Sequence, residues 1–414
     1  MGRLGGLAHG VFARYPNRSV GAVGSGGSLG SQTVAKLIDV GSVGAFFETL
    51  DDPRHTRNRK HLLSDIIVIA VCGIIGGGGG PTAIHRWSTL HEEWLRQHLR
   101  LANGLPSRDG IRRLLMALKP EAFQKCFQAW TAAMVRLGPD GRRVLVAIDG
   151  KTCRGSRDAA NGLGALHIVS AWASEEGLAL GQVATEEKSH EIAAIPELLS
   201  QIDLSNALVT IDAMGCQKDI VRQIAAGGGH YVVTVKDNQP KLLAAIESFF
   251  NEAVDRDLED IQYRFHETSE ESHGRADTRS YYLAKVPANF AFKKEWPSVK
   301  AIGYSLRVTR HADGRETFQA RYYISNRYMS GKRFGEAVRH HWGIESMHWV
   351  LDVNFREDDS RTRERTLGDN LSWLRRFAVS LLKRHPVVDS LVGKMLRCAV
   401  STAFMTEVLI GAVV

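Results

Sequence analysis

The stretch VLVAIDGKTCRG, residues 144–155, decides how this chain is read. An apolar run from Val144 to Ile148 ends abruptly in Asp149, Gly150 and Lys151. A continuous apolar run of this length, bounded by glycine, predicts a strand buried on both faces. A carboxylate on the end of such a strand is costly to bury unless it is paired or holds a metal. Gly150 predicts a sharp backbone turn after the acid, and Lys151 and Arg154 set positive charge beside it. Read alone, Asp-Gly is a turn signal. The pattern recurs, however: ALVTIDAMG, residues 207–215, is again an apolar strand ending in an acid, Asp212.

Outward from these strands the chain alternates. ALHIVSAWAS (165–174) and GLALGQVAT (177–185) predict two strands joined by a tight turn, and a helix follows around Ala193 to Gln201. After the strand bearing Asp212, a helix from Gln217 to Ala226 leads into the strand of HYVVTVKDNQP (230–240). Three strands, helix, strand, helix, strand is the order that an RNase H-like sheet requires, with one acid on the first strand and another ending the fourth. Residues 241–330 interrupt it: charged helix-like sequence from Lys241 to Asp260 precedes alternating stretches at 276–286, 299–310 and 315–325, a β-rich insertion. Helical sequence resumes at Arg333 and reaches HHWGIESMHWVLDVNFREDDSRTR (340–363). On a helix His341, Glu345, His348, Trp349 and Asp352 share one face, and Trp342 and Trp349 are candidate core residues.

The N-terminal half is different. Residues 1–38 are rich in Gly, Ser and Arg and read as a flexible leader without the apolar segment of a signal peptide. Residues 39–138 carry helical signals and predict a small all-α domain. LLSDIIVIAVCGII reads as a buried helix closed by the glycines at 76–80, IHRWSTLHEEWLRQHL (84–99) has helical spacing, and 110–137 reads as two helices, the second opening at Pro120. Arg54, Arg57, Arg59, Lys60, Arg112 and Arg113 give this segment a basic face that either grips DNA or is simply solvated. Residues 140–385 then form the α/β domain, and 386–414 a helical tail.

Composition bounds the function. A chain of 414 residues readily buries a large core. Apolar content of 44% with 24% charged residues describes a soluble globular protein, and no apolar run is long enough for a bilayer. The formal charge of +8 points to an anionic partner such as nucleic acid. Cys72, Cys126, Cys153, Cys216 and Cys398 lie too far apart for a disulfide framework or a structural zinc site, which suits a reducing cytoplasm.

AIDGKTCRGS, HIVSAWAS, EEKSHEIAAIPELL, TIDAMGCQKDI, YVVTVKDNQP and HWGIESMHWVLDVNFREDDSR, in this order, resemble the DDE insertion-sequence transposases, in the ISAs-type branch that includes the H-repeat-associated proteins. DDPRHTRNRKHLLSDIIVIAVCG and GLPSRDGIRRLL resemble the N-terminal domain associated with that branch, so the resemblance spans about residues 41–384. It implies an RNase H-like fold, a metal-binding triad of Asp149, Asp212 and Glu345, and cleavage and strand transfer of double-stranded DNA at terminal inverted repeats and target. It also implies a homodimer on DNA, cytoplasmic and nucleoid-associated, without a membrane. Related transposases with hairpin chemistry carry Tyr, Arg and Lys around the third acid where this chain has Val338, His341 and Asp352, so those roles are not carried over. Asn is usual where His190 stands, and Gly where Asp237 stands.

Phosphodiester chemistry needs charge stabilised on both the attacking and the leaving oxygen, which two Mg²⁺ ions (or Mn²⁺ in their place) held by carboxylates provide. The expected roles are Asp149 bridging the ions, with Asp212 and Glu345 each holding one. Lys151, Arg154, Lys236 and Asn238 are expected to contact phosphates or flanking bases. His341 and His348 are expected as DNA contacts or as partners of the ligands, because Mg²⁺ selects oxygen. Asp352, Asp358 and Asp359 rival Glu345; Asp352 lies about 10 Å along the helix from it, too far for both to serve one metal pair. A glycosidase using two carboxylates fits the basic charge poorly. A decayed or domesticated DNA-binding transposase remnant is the alternative.

Overall fold

The structure, a computed structural model, describes residues 40–134, 143–186, 190–272 and 274–411; the expected leader lies outside them. The chain forms two compact units. Among the described residues, the smaller comprises Asp212–Ala225 and His230–Val338, and the larger everything up to Ile211, Ala226–Gly229 and everything from Arg339 onward.

In the larger unit the apolar run becomes β1 (Val144–Cys153), followed by β2 (Leu166–Ala173), β3 (Leu178–Thr185) and β4 (Ala207–Ile211). β2 is antiparallel to β1 and β3, while β4 is parallel to β1, giving the order β3-β2-β1-β4 of an RNase H-like sheet. A parallel pair needs a crossover, and α7 (Glu191–Ser200), between β3 and β4, packs on β2 and β3. Every residue of β2 is buried, so both sheet faces are covered there.

The N-terminal segment forms α1 (Val40–Ala45), α2 (Leu63–Ile75), α3 (Pro81–Leu90), α4 (Glu92–His98), α5 (Arg108–Ala117) and α6 (Pro120–Met134). Apolar on all sides, α2 is buried all round, from Ile66 to Ile75. The helical spacing over 84–99 is interrupted at His91, whose φ of −119° is not helical. These helices share a core with the sheet through α11 (Arg365–Arg384), which packs on α2, α5, α6 and β3. The Phe377 ring of α11 packs at a tilt against Phe127 and Trp130 of α6, its centroid 4.4 Å and 4.2 Å from theirs. Asn370 Nδ2 donates to the carbonyls of Leu115 (2.8 Å) and Leu118 (3.0 Å), satisfying orphan groups at the end of α5. The tail forms α12 (Leu391–Val400) and α13 (Thr402–Gly411).

The smaller unit holds α8 (Lys218–Ala226, its last residue excepted), β5 (His230–Val235), α9 (Pro240–Asp255), β6 (Tyr263–Ser272), β7 (Arg275–Lys285), β8 (Ala301–Arg310) and β9 (Glu316–Ser325). Its strands are antiparallel in the order β5-β9-β8-β7-β6. The β-rich insertion thus has one strand more than its periodicity predicts. β6, YRFHETSEES, is mostly polar and exposed; its pairing with β7 along its whole length specifies it. Gly274, at φ +71°, takes the left-handed conformation in the connection between β6 and β7. α10 (Gly331–Val353) begins in this unit and continues in the larger one from Arg339. The five cysteines are free and buried, and no described helix is long and apolar enough to cross a membrane.

Candidate active site

β1 does not turn at Gly150. It runs on to Cys153, paired with β2 from Val146 to its end, whereas its parallel ladder with β4 ends at Ile148↔Ile211. Asp149 is therefore the first β1 residue beyond the β4 ladder, opposite Ser170 of β2. Asp212 directly follows the other member of that last pair and leads into a single 3₁₀ turn, Ala213–Gly215.

Gly150 is required by close approach instead. A Cβ there would lie 2.4 Å from His167 Nε2 and 2.7 Å from the Glu191 carboxylate. Those two side chains form a buried pair at 3.1 Å, and Thr152 Oγ1 lies 2.9 Å from the other nitrogen of His167. His167 and Glu191 are not singled out by the sequence; the signal for them is a histidine inside an otherwise largely apolar strand and a glutamate opening a helix. Gly150→Ala is expected to destabilise the fold by about 1–3 kcal/mol through overpacking. The check is the urea midpoint; an unchanged midpoint would show that the pair moves aside freely.

Alternation along β1 places Asp149 and Lys151 on one face and Gly150 and Thr152 on the other. His348, reaching in from α10, brings Nδ1 to 3.6 Å from Asp149 Oδ2. Burial pushes its imidazole down to about 3, and Arg376 and Lys151 add to this, so the ring is neutral at neutral pH. Its Nε2 is buried and finds no hydrogen-bond partner among the described residues.

Lys151 is also buried, 7% exposed, and lies 2.6 Å from Asp352, 3.1 Å from Asp358 and 3.4 Å from Glu357. Its ammonium is enclosed by carboxylates rather than presented to a phosphate. Arg154 lies at the surface, its side chain 84% exposed, with Nε 3.5 Å from Asp358 Oδ2. Glu357 is fully buried between Arg376 (3.3 Å) and Arg375 (3.6 Å), and Ser372 Oγ donates to it at 2.7 Å. Burial alone would raise its carboxyl, but Arg376, Arg375 and Lys151 outweigh that and hold it at about 2. The mixed charges of FREDDSR were the sequence signal for this cluster.

On α10, Glu345 is exposed and His341 is half-buried, its Nδ1 3.1 Å from Thr210 Oγ1 on β4. Trp342 and Trp349 are surface residues, 36% and 61% exposed, not core. The face shared by these residues is thus split: His348 turns inward and Trp349 outward, with Asp352 between. In the smaller unit, Lys236 Nζ lies 3.0 Å from Asp212 Oδ1. Asn238 Nδ2 donates to the Ala213 carbonyl at 2.6 Å, so Lys236 and Asn238 both bind the segment that opens with Asp212.

Three carboxylates are the hard oxygen donors that Mg²⁺ selects. Among the described residues no group of three or more carboxylate, imidazole or thiol side chains is gathered as a metal site.

The strand order β3-β2-β1-β4 is that of an RNase H-like domain. The chain belongs to the transposase DDE domain family, which matches residues 140–382, and a DDE_Tnp_1-associated domain matches 45–131. It is 38% identical to the "Putative transposase YncI" of Escherichia coli O157:H7, over 88% of this chain and 93% of that one. It is 35% identical to the "H repeat-associated putative transposase YhhI" of Escherichia coli K12, over 88% of this chain and 96% of that one. A piggyBac transposase synaptic complex with hairpin DNA aligns at 9% identity and a TM-score of 0.40, over 92% of this chain and 82% of that chain.

Proposed function

We propose that this transposase cleaves and joins double-stranded DNA at the terminal inverted repeats of an insertion sequence, with Asp149, Asp212 and Glu345 as its catalytic carboxylates. The observation that carries this reading is the register: both aspartates directly follow the last pair of the parallel ladder, Ile148↔Ile211. Strand ends of this kind are where open α/β sheets bind their ligands. Residues 39–138 serve as the associated domain, 140–385 as the catalytic domain and 386–414 as a tail.

Family membership implies a divalent metal, here two Mg²⁺ or Mn²⁺ ions, which would supply charge stabilisation on the phosphate when bound. The protein's own residues do the rest. His348, neutral at neutral pH, adds no positive charge beside Asp149, and Lys236 holds the Asp212 carboxylate. Arg154, exposed at the end of β1, meets the phosphate backbone. Lys236 and Asn238 shape the approach beside Asp212, and His341 lies one turn from Glu345. In the associated domain Arg57, Lys60, Arg112 and Arg113 are exposed and suited to phosphate contact, whereas Arg54 is held by Asp52 at 2.7 Å. The protein acts as a homodimer on DNA, in the cytoplasm and on the nucleoid. The direct test is cleavage of labelled element-end DNA with and without Mg²⁺; binding with no cleavage under any divalent ion would leave the remnant reading standing.

The third acid has its own test. Glu345 is exposed on α10, while Asp352 is held by Lys151 at 2.6 Å. Glu345→Gln is expected to lose Mg²⁺-dependent cleavage and Asp352→Asn to keep part of it. The reverse, Asp352 essential and Glu345 dispensable, would move the triad.

A further inference from the structure

The charge of Lys151 is directed into a single stretch of chain. Asp352, Glu357 and Asp358 belong to the last turn of α10 and the loop after it, and all three lie within 3.4 Å of its Nζ. The same loop is bonded to the end of β1 through the backbone: Gly155 N donates to the Asp358 carbonyl at 2.9 Å, and Arg154 N to Asp358 Oδ1 at 3.2 Å. The approach is close enough that a Cβ on Gly155 would lie 2.4 Å from that carbonyl. Behind the loop, Arg376 lies 3.3 Å from Glu357 and its Nε donates to Ser170 Oγ at 3.0 Å. Ser170 is the β2 residue opposite Asp149. A closed circuit thus runs from the ladder partner of Asp149 through Arg376, Glu357 and Lys151 to Asp352 on α10.

We propose that Lys151 is a positioning residue that fixes α10 lengthwise against β1, and so sets where Glu345 stands relative to Asp149. The proposal rests on the reading of those two acids as catalytic. Asp352 is seven residues from Glu345, about 10 Å along one helix, so a displacement at Asp352 is carried to Glu345. The cluster sets three buried cations, Lys151, Arg375 and Arg376, against three carboxylates, Asp352, Glu357 and Asp358, so the Lys151 ammonium is neutralised inside the fold, while a fourth cation, Arg154, lies exposed at its rim. Misplacement of a reacting group by 1 Å costs about 10²-fold in rate.

The test uses the full chain with Lys151→Met, Lys151→Arg and Asp358→Asn. Lys151→Met is expected to lower kcat for end cleavage about 10²-fold, leave Kd and its salt dependence unchanged, and speed hydrogen exchange of the amides at 339–353 relative to α5. Lys151→Arg, which keeps the charge, should restore most of the rate. If Lys151→Met does not fold, Asp358→Asn carries the same comparison at the half-buried rim of the cluster. A weaker Kd with a salt slope reduced by about one would make Lys151 a phosphate contact and overturn the proposal. A lowered melting temperature with wild-type kcat, or unchanged exchange across 339–353, would also overturn it. A wild-type protein that binds ends and never cleaves would instead sink the catalytic reading, while the exchange measurement would still decide the role of Lys151.

Discussion

Asp149→Asn is expected to cost strand cleavage about 10³-fold or more, equivalent to ~4 kcal/mol of transition-state stabilisation, with DNA binding intact or tighter. The substitution is nearly isosteric, and the side chain sits on a strand paired with β2 on one side, so the fold has no reason to change. The amide cannot replace the charge. Its neighbour His348 is held neutral by burial and supplies no compensating proton. Removing a negative charge from a surface that meets a polyanion strengthens attraction, so affinity should not fall. End-labelled DNA cleavage and a binding isotherm on the same preparation separate the two effects. Cleavage within tenfold of wild type would remove Asp149 from the catalytic set.

Glu357→Gln is expected to destabilise the fold by ~3–5 kcal/mol, because it strips a counter-charge from two buried arginines, Arg375 and Arg376, and leaves Lys151 with only Asp352 and Asp358. Urea unfolding at neutral pH measures this as a fall in the midpoint. The pH dependence has a definite sign. The folded carboxyl titrates at about 2, against 4.5 for a free side chain, so its contribution is fully present above pH 4.5 and is lost as pH falls from there towards 2. Such a difference corresponds to ~3 kcal/mol. The variant should therefore lose stability less steeply than wild type over that interval. Parallel acid-unfolding curves for the two proteins would assign the acid sensitivity elsewhere. Glu345→Gln is the control: an exposed carboxylate should alter stability by no more than about 0.5 kcal/mol.

That contrast marks how far the residues alone carry the reading. Composition and order already identified the strands around Asp149 and Asp212, since an apolar run ending in an acid has few other uses. Six ordered motifs were enough to name the family, and α2 was legible because it is apolar on every side. Pairing decided the rest. The sharp turn expected at Gly150 is absent, because a turn signal is local while the strand is extended by bonds to β2 from a distant part of the chain. β6 was invisible for the same reason, its polar sequence being held by β7 alone. Trp342 and Trp349 were plausible core residues by type, and helical periodicity does not say which face meets the core. The acids of ESMHWVLDVNFREDD look alike in one dimension. Burial sorts them in three: Glu357 lies fully enclosed among arginines, Asp352 and Asp358 bind Lys151, and Glu345 is exposed. Lys151 itself, a natural phosphate contact when read beside Asp149, became an internal partner once the chain brought residues about two hundred positions away against it. Local sequence can state which groups are charged; only the tertiary structure decides which of those charges are desolvated together.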